Sequence, residues 1–198
     1  VSNKIFRKQK NRNLLLNYFK PSIYVKDVNK INLESLKKHG IKVFICDLDN
    51  TLAPFYRRIP NADNFQLIRK VEELGMKFVL LSNNARKRVE RFAQKAEIKY
   101  FYWNAKKPLL KYFKVISKQF NVQPNEMIMV GDQLITDILF ANRAHIESIL
   151  VVPVTGVDES SRLIRMLDNL VYKRLEQKNI LHKGFFDEGE YGVDYDIL

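Results

Sequence analysis

At 198 residues the chain is most simply one domain with room for a sizeable core, and 46% hydrophobic with 28% charged content is ordinary for a globular protein. The single cysteine, Cys46, excludes an internal disulfide and suits a reducing compartment, while His39, His145 and His182 lack the spacing of a histidine-built metal site. The net charge of +12 implies either a solvated basic surface or affinity for anionic partners: phosphorylated substrates, acidic membrane surfaces or nucleic acid.

The first twenty residues carry Lys4, Arg7, Lys8, Lys10, Arg12 and Lys20 and no acid, around the apolar run Leu14-Leu15-Leu16 with Tyr18 and Phe19. That run is too short to cross a membrane or to form a signal-peptide core, but it suits a segment lying on an anionic membrane surface. A short helix is expected from Asn32 to His39, stopped by Gly40. Val43-Phe44-Ile45-Cys46 then reads as a strand buried on both faces of a parallel sheet. Cys46 is read as one of its small buried residues.

Asp47 and Asp49 follow where this first strand ends. Two acids leaving an apolar strand require a cation or a shared proton between them, and nothing structural asks for both. A loop fenced by Pro54 and Pro60 leads to a helix expected over 62–74, closed by Gly75. The second strand, 77–81, ends in Ser82-Asn83-Asn84, and a charged helix is expected over 85–96. A short third strand is expected over 98–101, and Pro108 just inside a start predicts a helix running to Phe120. The fourth strand, 127–130, breaks at Gly131-Asp132, a helix is expected over 134–144, and the fifth strand spans 148–152. The spacing of Leu163, Met166, Leu167, Leu170, Val171 and Leu175 predicts an amphipathic helix over 159–177. The end, with Asp187, Glu188, Glu190, Asp194 and Asp196, is expected to be an acidic tail that is mobile or folds back on the basic body.

Repeated strand–helix alternation predicts a doubly wound, three-layer α/β/α fold around a mostly parallel five-stranded sheet. The expected organisation is a basic N-terminal segment over 1–30, one domain over 31–180 and an acidic tail over 181–198. Four strand ends carry polar groups where such sheets bind ligands. They offer Asp47 with Asp49, Ser82 with Asn83, Lys106 with Lys107, and Asp132 with Asp137. Individually, Ser82 is equally a helix cap, Asp132 a turn residue and Lys106 a solvated lysine.

Taken in order, Asp47-Leu48-Asp49-Asn50-Thr51, Ser82, Lys107 before Pro108 and Gly131-Asp132 with Asp137 resemble the four motifs of the haloacid dehalogenase-like (HAD) phosphohydrolases. The resemblance implies a HAD-like Rossmannoid fold and a Mg2+-dependent phosphomonoester hydrolase. It implies Asp47 as nucleophile through an aspartyl-phosphate and Asp49 as general acid and base. Asp47, the main-chain carbonyl of Asp49 and Asp132 become the metal site, with Asp137 supporting it. Ser82, Asn83 and Lys107 become phosphate-binding residues, and Thr51 belongs to the same substrate loop or stabilises its turn.

Neither the stretch from Thr51 to Ser82 nor that from Ser82 to Lys107 has room for a cap domain, so the site is expected to be open and suited to a phosphate displayed on something large. The motifs, with Asn142-Arg143-Ala144 and Val151-Val152-Pro153-Val154, further resemble the YqeG family of HAD subfamily IIIA, over about 14–178. Relatives of that group include phosphatidylglycerophosphate phosphatases. The resemblance therefore implies dephosphorylation of that lipid to phosphatidylglycerol at a cytoplasmic site, peripheral to the inner face of the membrane. Arg57, Arg58 and Arg143 are candidates for the substrate's second phosphate. One departure is His145 after Ala144, where relatives usually have glycine. The alternatives are a phosphatase of nucleic-acid ends or phosphoproteins, and an RNA- or ribosome-binding assembly factor that retains the fold. The oligomeric state is left open.

Overall fold

The computed structural model describes residues 15–155 and 162–187. The basic residues Lys4 to Arg12, Leu14 and the acids Glu188 to Asp196 lie outside the described residues, so the expectations placed on them are not addressed by it. A six-stranded, all-parallel sheet forms the middle layer, with strands β1 (Ile23–Val25), β2 (Val43–Cys46), β3 (Lys77–Leu81), β4 (Tyr100–Tyr102), β5 (Met127–Gly131) and β6 (Glu147–Val151). Their order in space is β1-β6-β5-β2-β3-β4. Five strands were expected. The sixth, β1, is three residues long, too short for periodicity to register, and pairs with β6 at the sheet edge. The sheet thus reaches into the segment expected to precede the domain.

Period-2 alternation distributes the core between the two faces. Phe44 and Phe78 stack on one side with Ile68, Val71 and Phe92. Val43, Ile45, Val79 and Met129 face the other side with Ile116 and Phe140. The first side is covered by helices α1 (Leu33–Lys38), α2 (Ala62–Glu73) and α3 (Arg86–Lys95). The second is covered by α4 (Lys111–Phe120) and α5 (Leu139–Ala144), with α6 (Arg162–Glu176) beside the β1–β6 edge. Asn32 caps α1, and Asn61 and Asn64 cap α2 reciprocally, which satisfies first-turn N–H groups.

Several boundaries moved for local reasons. The third strand begins at Tyr100 because Ile98 is still engaged upstream, donating its N–H to Ala93 as α3 closes. The fourth helix begins at Lys111, not Pro108, because both main-chain groups of Lys107 are bonded elsewhere. The expected 134–144 helix is split into a wide π turn, Leu134–Ile138, and α5. His145 takes φ +56° at the end of α5, the left-handed conformation that glycine adopts at no cost. The acidic end begins by folding back, since Asp187 and Tyr24 exchange hydrogen bonds of 2.8 Å and Phe186 packs on the Tyr24 ring.

The chain starts at the edge strand β1, enters the middle of the sheet at β2, moves outward to β3 and β4, then crosses back to β5 and β6, with β6 lying beside β1. The order therefore reverses between β2 and β5, and that crevice is where an open α/β sheet holds its ligand.

Candidate active site

Asp47 and Asp132 leave the two strands that flank the reversal. Asp47 continues the ladder from β2, donating its N–H to Val130 at 2.9 Å, so its main chain is fixed before its side chain is placed. Ligand oxygens of Asp47, Asp132 and Asp137 all lie within 4.8 Å of one another, and all three residues are buried. Lys107 reaches in from the loop after β4 and donates to Asp47 at 2.5 Å and Asp137 at 2.7 Å. Burial pushes the Asp47 carboxyl up; the Lys107 ammonium pulls it down, while Asp137 and Asp49 push it further up, and it rests at about 7. Burial alone would lower the Lys107 ammonium, but Asp137 and Asp47 more than reverse that and hold it charged.

Three carboxylates face one ammonium, so with all three ionised the cluster would carry a net charge of minus two. An all-carboxylate donor set with that excess fits a hard divalent cation. The sequence expectation assigned the metal to the carboxylates of Asp47, Asp132 and Asp137 and to the main-chain carbonyl of Asp49. Those three carboxylates converge, and that of Asp49 does not belong to the cluster.

Asp49 is held instead by groups that the sequence reading left unassigned. Arg88, from the first turn of α3, pairs with its Oδ1 at 3.0 Å, and Asn84 donates to its Oδ2 at 3.0 Å. Arg88 also donates to the Pro54 carbonyl at 3.3 Å and lies over the Phe92 ring. A signal for Arg88 was present. The first turn of α3 carries Arg86, Lys87 and Arg88 and no acid, against the helix dipole, so a base there calls for an anion nearby.

Thr51 is fully buried and donates its hydroxyl to Asp132 at 3.0 Å, which orients a carboxylate of the cluster. Asn83 uses its side-chain amide to bracket Lys107, accepting from the Lys107 N–H at 2.7 Å and donating to its carbonyl at 3.1 Å. Ser82 is buried and its Oγ accepts from the Asn84 N–H at 3.0 Å. Gln133 donates its main-chain N–H to Asp137 at 3.1 Å. A Cβ built on Gly131 would stand 2.3 Å from Asp137 Cγ, so only glycine leaves Asp137 its place.

These groups open into a cleft of about 440 Å3 lined by Asp47, Asp49, Ser82, Lys107, Phe55 and Ile164, among others. A second hollow adjoins it through Phe55 and Asn84 and is bordered by Arg58, Lys87, Arg88 and Arg91. Of the arginines expected to hold a second phosphate, Arg58 stands there. Arg143 is elsewhere, donating to the Pro108 carbonyl at 2.8 Å and bordering a hollow with Leu15 and Phe19. No cap interrupts the connections from β2 to β3 or from β3 to β4, which hold α2 and α3 alone. No helix among the described residues is long and apolar enough to cross a membrane.

A family model described as "Mitochondrial PGP phosphatase" matches residues 8–158. "Probable phosphatase YqeG" of Bacillus subtilis (strain 168) is 34% identical over 168 residues, covering 83% of this chain and 96% of that protein. "Phosphatidylglycerophosphate phosphatase 1, chloroplastic/mitochondrial" of Arabidopsis thaliana is 29% identical over 173 residues, covering 81% of this chain but 49% of that protein. An uncharacterized protein from Listeria monocytogenes serotype 4b superposes with a TM-score of 0.50 at 22% identity, over 62% of this chain and 84% of that one, a likeness of fold. The matched region contains the sheet, the carboxylate cluster and the Lys107 loop together. Through it the chain belongs to the mitochondrial PGP phosphatase family, and it is a phosphatase.

Proposed function

We propose that the protein hydrolyses the phosphate monoester of phosphatidylglycerophosphate, with Asp47 as nucleophile and Asp49 as general acid and base. The observation that carries this reading is the separation of two neighbouring carboxylates. Asp47 belongs to the buried cluster with Lys107, whereas Asp49 is kept outside it by Arg88 and Asn84. Unlike environments of this kind divide two carboxylates between nucleophilic and proton-transfer work.

In this mechanism the Asp47 carboxylate forms a bond to phosphorus while the bond from phosphorus to the substrate's alcohol oxygen breaks. Asp49 gives that oxygen a proton. It then takes one from the water that cleaves the aspartyl-phosphate, releasing inorganic phosphate and restoring Asp47. Lys107 offsets phosphoryl charge, and Ser82 and the main chain after it bind the phosphoryl oxygens. Asp47, Asp132 and the Asp49 main-chain carbonyl would hold Mg2+, with Asp137 in support. When bound, that ion neutralises charge between the carboxylates and the phosphate dianion. The open cleft and the similarity to the Arabidopsis thaliana protein named for phosphatidylglycerophosphate support the lipid substrate.

The test is Mg2+-dependent phosphate release from phosphatidylglycerophosphate in mixed micelles, wild type beside Asp47→Asn. Soluble phosphomonoesters and a 3′-phosphorylated oligonucleotide serve as comparisons. Release from the lipid, abolished by the substitution, is the expected result. Release from soluble esters alone would keep the chemistry and overturn the substrate.

A further inference from the structure

Helix α6 presents the reverse of the face a solvated helix should show. Leu163, Met166, Leu167 and Leu170 fall at i, i+3, i+4 and i+7, one stripe, and are 61, 52, 41 and 52% exposed. The inward face is built from other residues. Asp168 is buried and accepts the Ile135 N–H at 2.9 Å, and Tyr172 and Leu175 pack with Tyr24, Ile138 and Leu150. The sequence pattern predicted the amphipathic helix, but the need to hold the π turn through Asp168 rotates most of its apolar stripe outward. A contiguous exposed apolar patch on an otherwise polar surface marks a place of interaction.

The charges around the stripe identify what it meets. Met166, Asn169 and Leu170 share a shallow hollow with Arg165 and Lys173, and Lys173 and Arg174 continue the stripe toward the helix end. The acids of α6 are engaged elsewhere: Asp168 faces inward, and Glu176 accepts from the Lys183 N–H. Among the described residues of α6, the outer face is therefore apolar and basic, with no acid. A symmetric pairing with a second copy would set Arg165, Lys173 and Arg174 near their own equivalents. Anionic lipid headgroups complement those bases, and acyl chains take the leucines. The stripe also begins beside the cleft. Ile164, next to Leu163, lines the cleft together with Phe55, and the loop after β2 exposes Phe55, Tyr56 and Ile59.

We infer that the outer face of α6 docks on an anionic bilayer and sets the mouth of the active site at the headgroup layer. This gives the lipid-phosphate reading its means of reaching substrate and rests on that reading for its purpose, though not for its geometry.

The test is sedimentation with vesicles of equal parts phosphatidylcholine and phosphatidylglycerol, against vesicles of phosphatidylcholine alone. Wild type is expected to bind the anionic vesicles preferentially. Leu167→Ser with Leu170→Ser should lower that affinity about tenfold or more by removing apolar contact. Lys173→Glu with Arg174→Glu should lower it at least as much and flatten its salt dependence. Both variants change exposed residues away from the cleft, so hydrolysis of a soluble phosphomonoester should not change. Vesicle binding undiminished in both variants would overturn the docking assignment. So would a wild-type dimer that ignores vesicles and becomes monomeric in the leucine variant. Vesicle binding that follows α6 in a protein inert toward phosphatidylglycerophosphate would sustain the docking face and overturn the substrate instead.

Discussion

Replacing Gly131 by alanine tests how the carboxylate cluster is held. The new methyl carbon would meet Asp137 Cγ at 2.3 Å and its Oδ2 at 2.4 Å, where carbon–carbon contact needs about 3.5 Å. Since Gly131 lies in β5, buried between β2 and β6, the strand is fixed and Asp137 must retreat by about 1 Å. Its 2.7 Å contact with Lys107 would lengthen to about 3.7 Å, which at an effective dielectric near 20 removes about 2 kcal/mol. Overpacking costs roughly another 1–3 kcal/mol, for a total of about 3–5 kcal/mol. Urea unfolding should show the loss as a lower midpoint at unchanged slope, and calorimetric titration should show divalent-metal affinity reduced about ten- to hundredfold. Gly40→Ala is the control. Gly40 has φ +83° with no atom within 4 Å of its would-be Cβ, so only backbone strain of about 1–2 kcal/mol should appear, with metal affinity intact. If Gly131→Ala matched Gly40→Ala in both measurements, the steric pinning of Asp137 would be refuted.

Arg88→Ala should lower kcat about ten- to hundredfold, because Asp49 loses its positioning partner, with Arg88→Lys recovering part of it and metal affinity unchanged in both. Divalent-metal affinity should fall about tenfold per pH unit below about 7, since cation and proton compete for Asp47, and level off above; titration calorimetry across pH 5.5 to 8 checks this. Because Asp47 is raised in the folded protein, its contribution to metal-free stability is present below pH 3.8 and lost as pH rises through about 7. The gain in Tm on adding metal should therefore widen over that interval. Thr51→Val should cost about 1–3 kcal/mol in urea unfolding by removing a buried donor from Asp132. His145→Gly should stabilise by roughly 1 kcal/mol, relieving a left-handed residue at the end of α5.

The sheet was legible because its strands are apolar runs such as Phe78-Val79-Leu80-Leu81, bounded by turns. The principal acids were legible because strand ends have no structural use for them. What the sequence hid was the direction of side chains. Asn83 and Lys107 are 24 residues apart, and no periodicity relates a side-chain amide to a distant main chain. Asp49 and Arg88 stand on different elements, so their pairing is a product of the crevice, and Arg88 read as one more base on a charged helix. Thr51 read as a substrate-loop residue or a stabiliser of its turn, because a hydroxyl beside two acids is equally suited to a ligand or to a neighbouring group. In α6, one buried aspartate decided which face turned inward, a choice that hydrophobic spacing does not encode.

The bend from Ser82 to Arg88 carries several tasks at once. Ser82 turns the chain, Asn83 brackets Lys107, and Asn84 and Arg88 together hold Asp49. Lengthening it by even one residue would separate these contacts, so it is a poor place for new sequence to enter. The exposed loop at Tyr56–Ile59 follows Phe55 of the cleft and borders the adjoining hollow, with Tyr56, Arg58 and Ile59 turned to solvent. A lid grafted there would gain control over which substrates enter while leaving the reacting groups where they are. The present fold thus separates a corner that must stay fixed from a neighbouring corner that is open to elaboration.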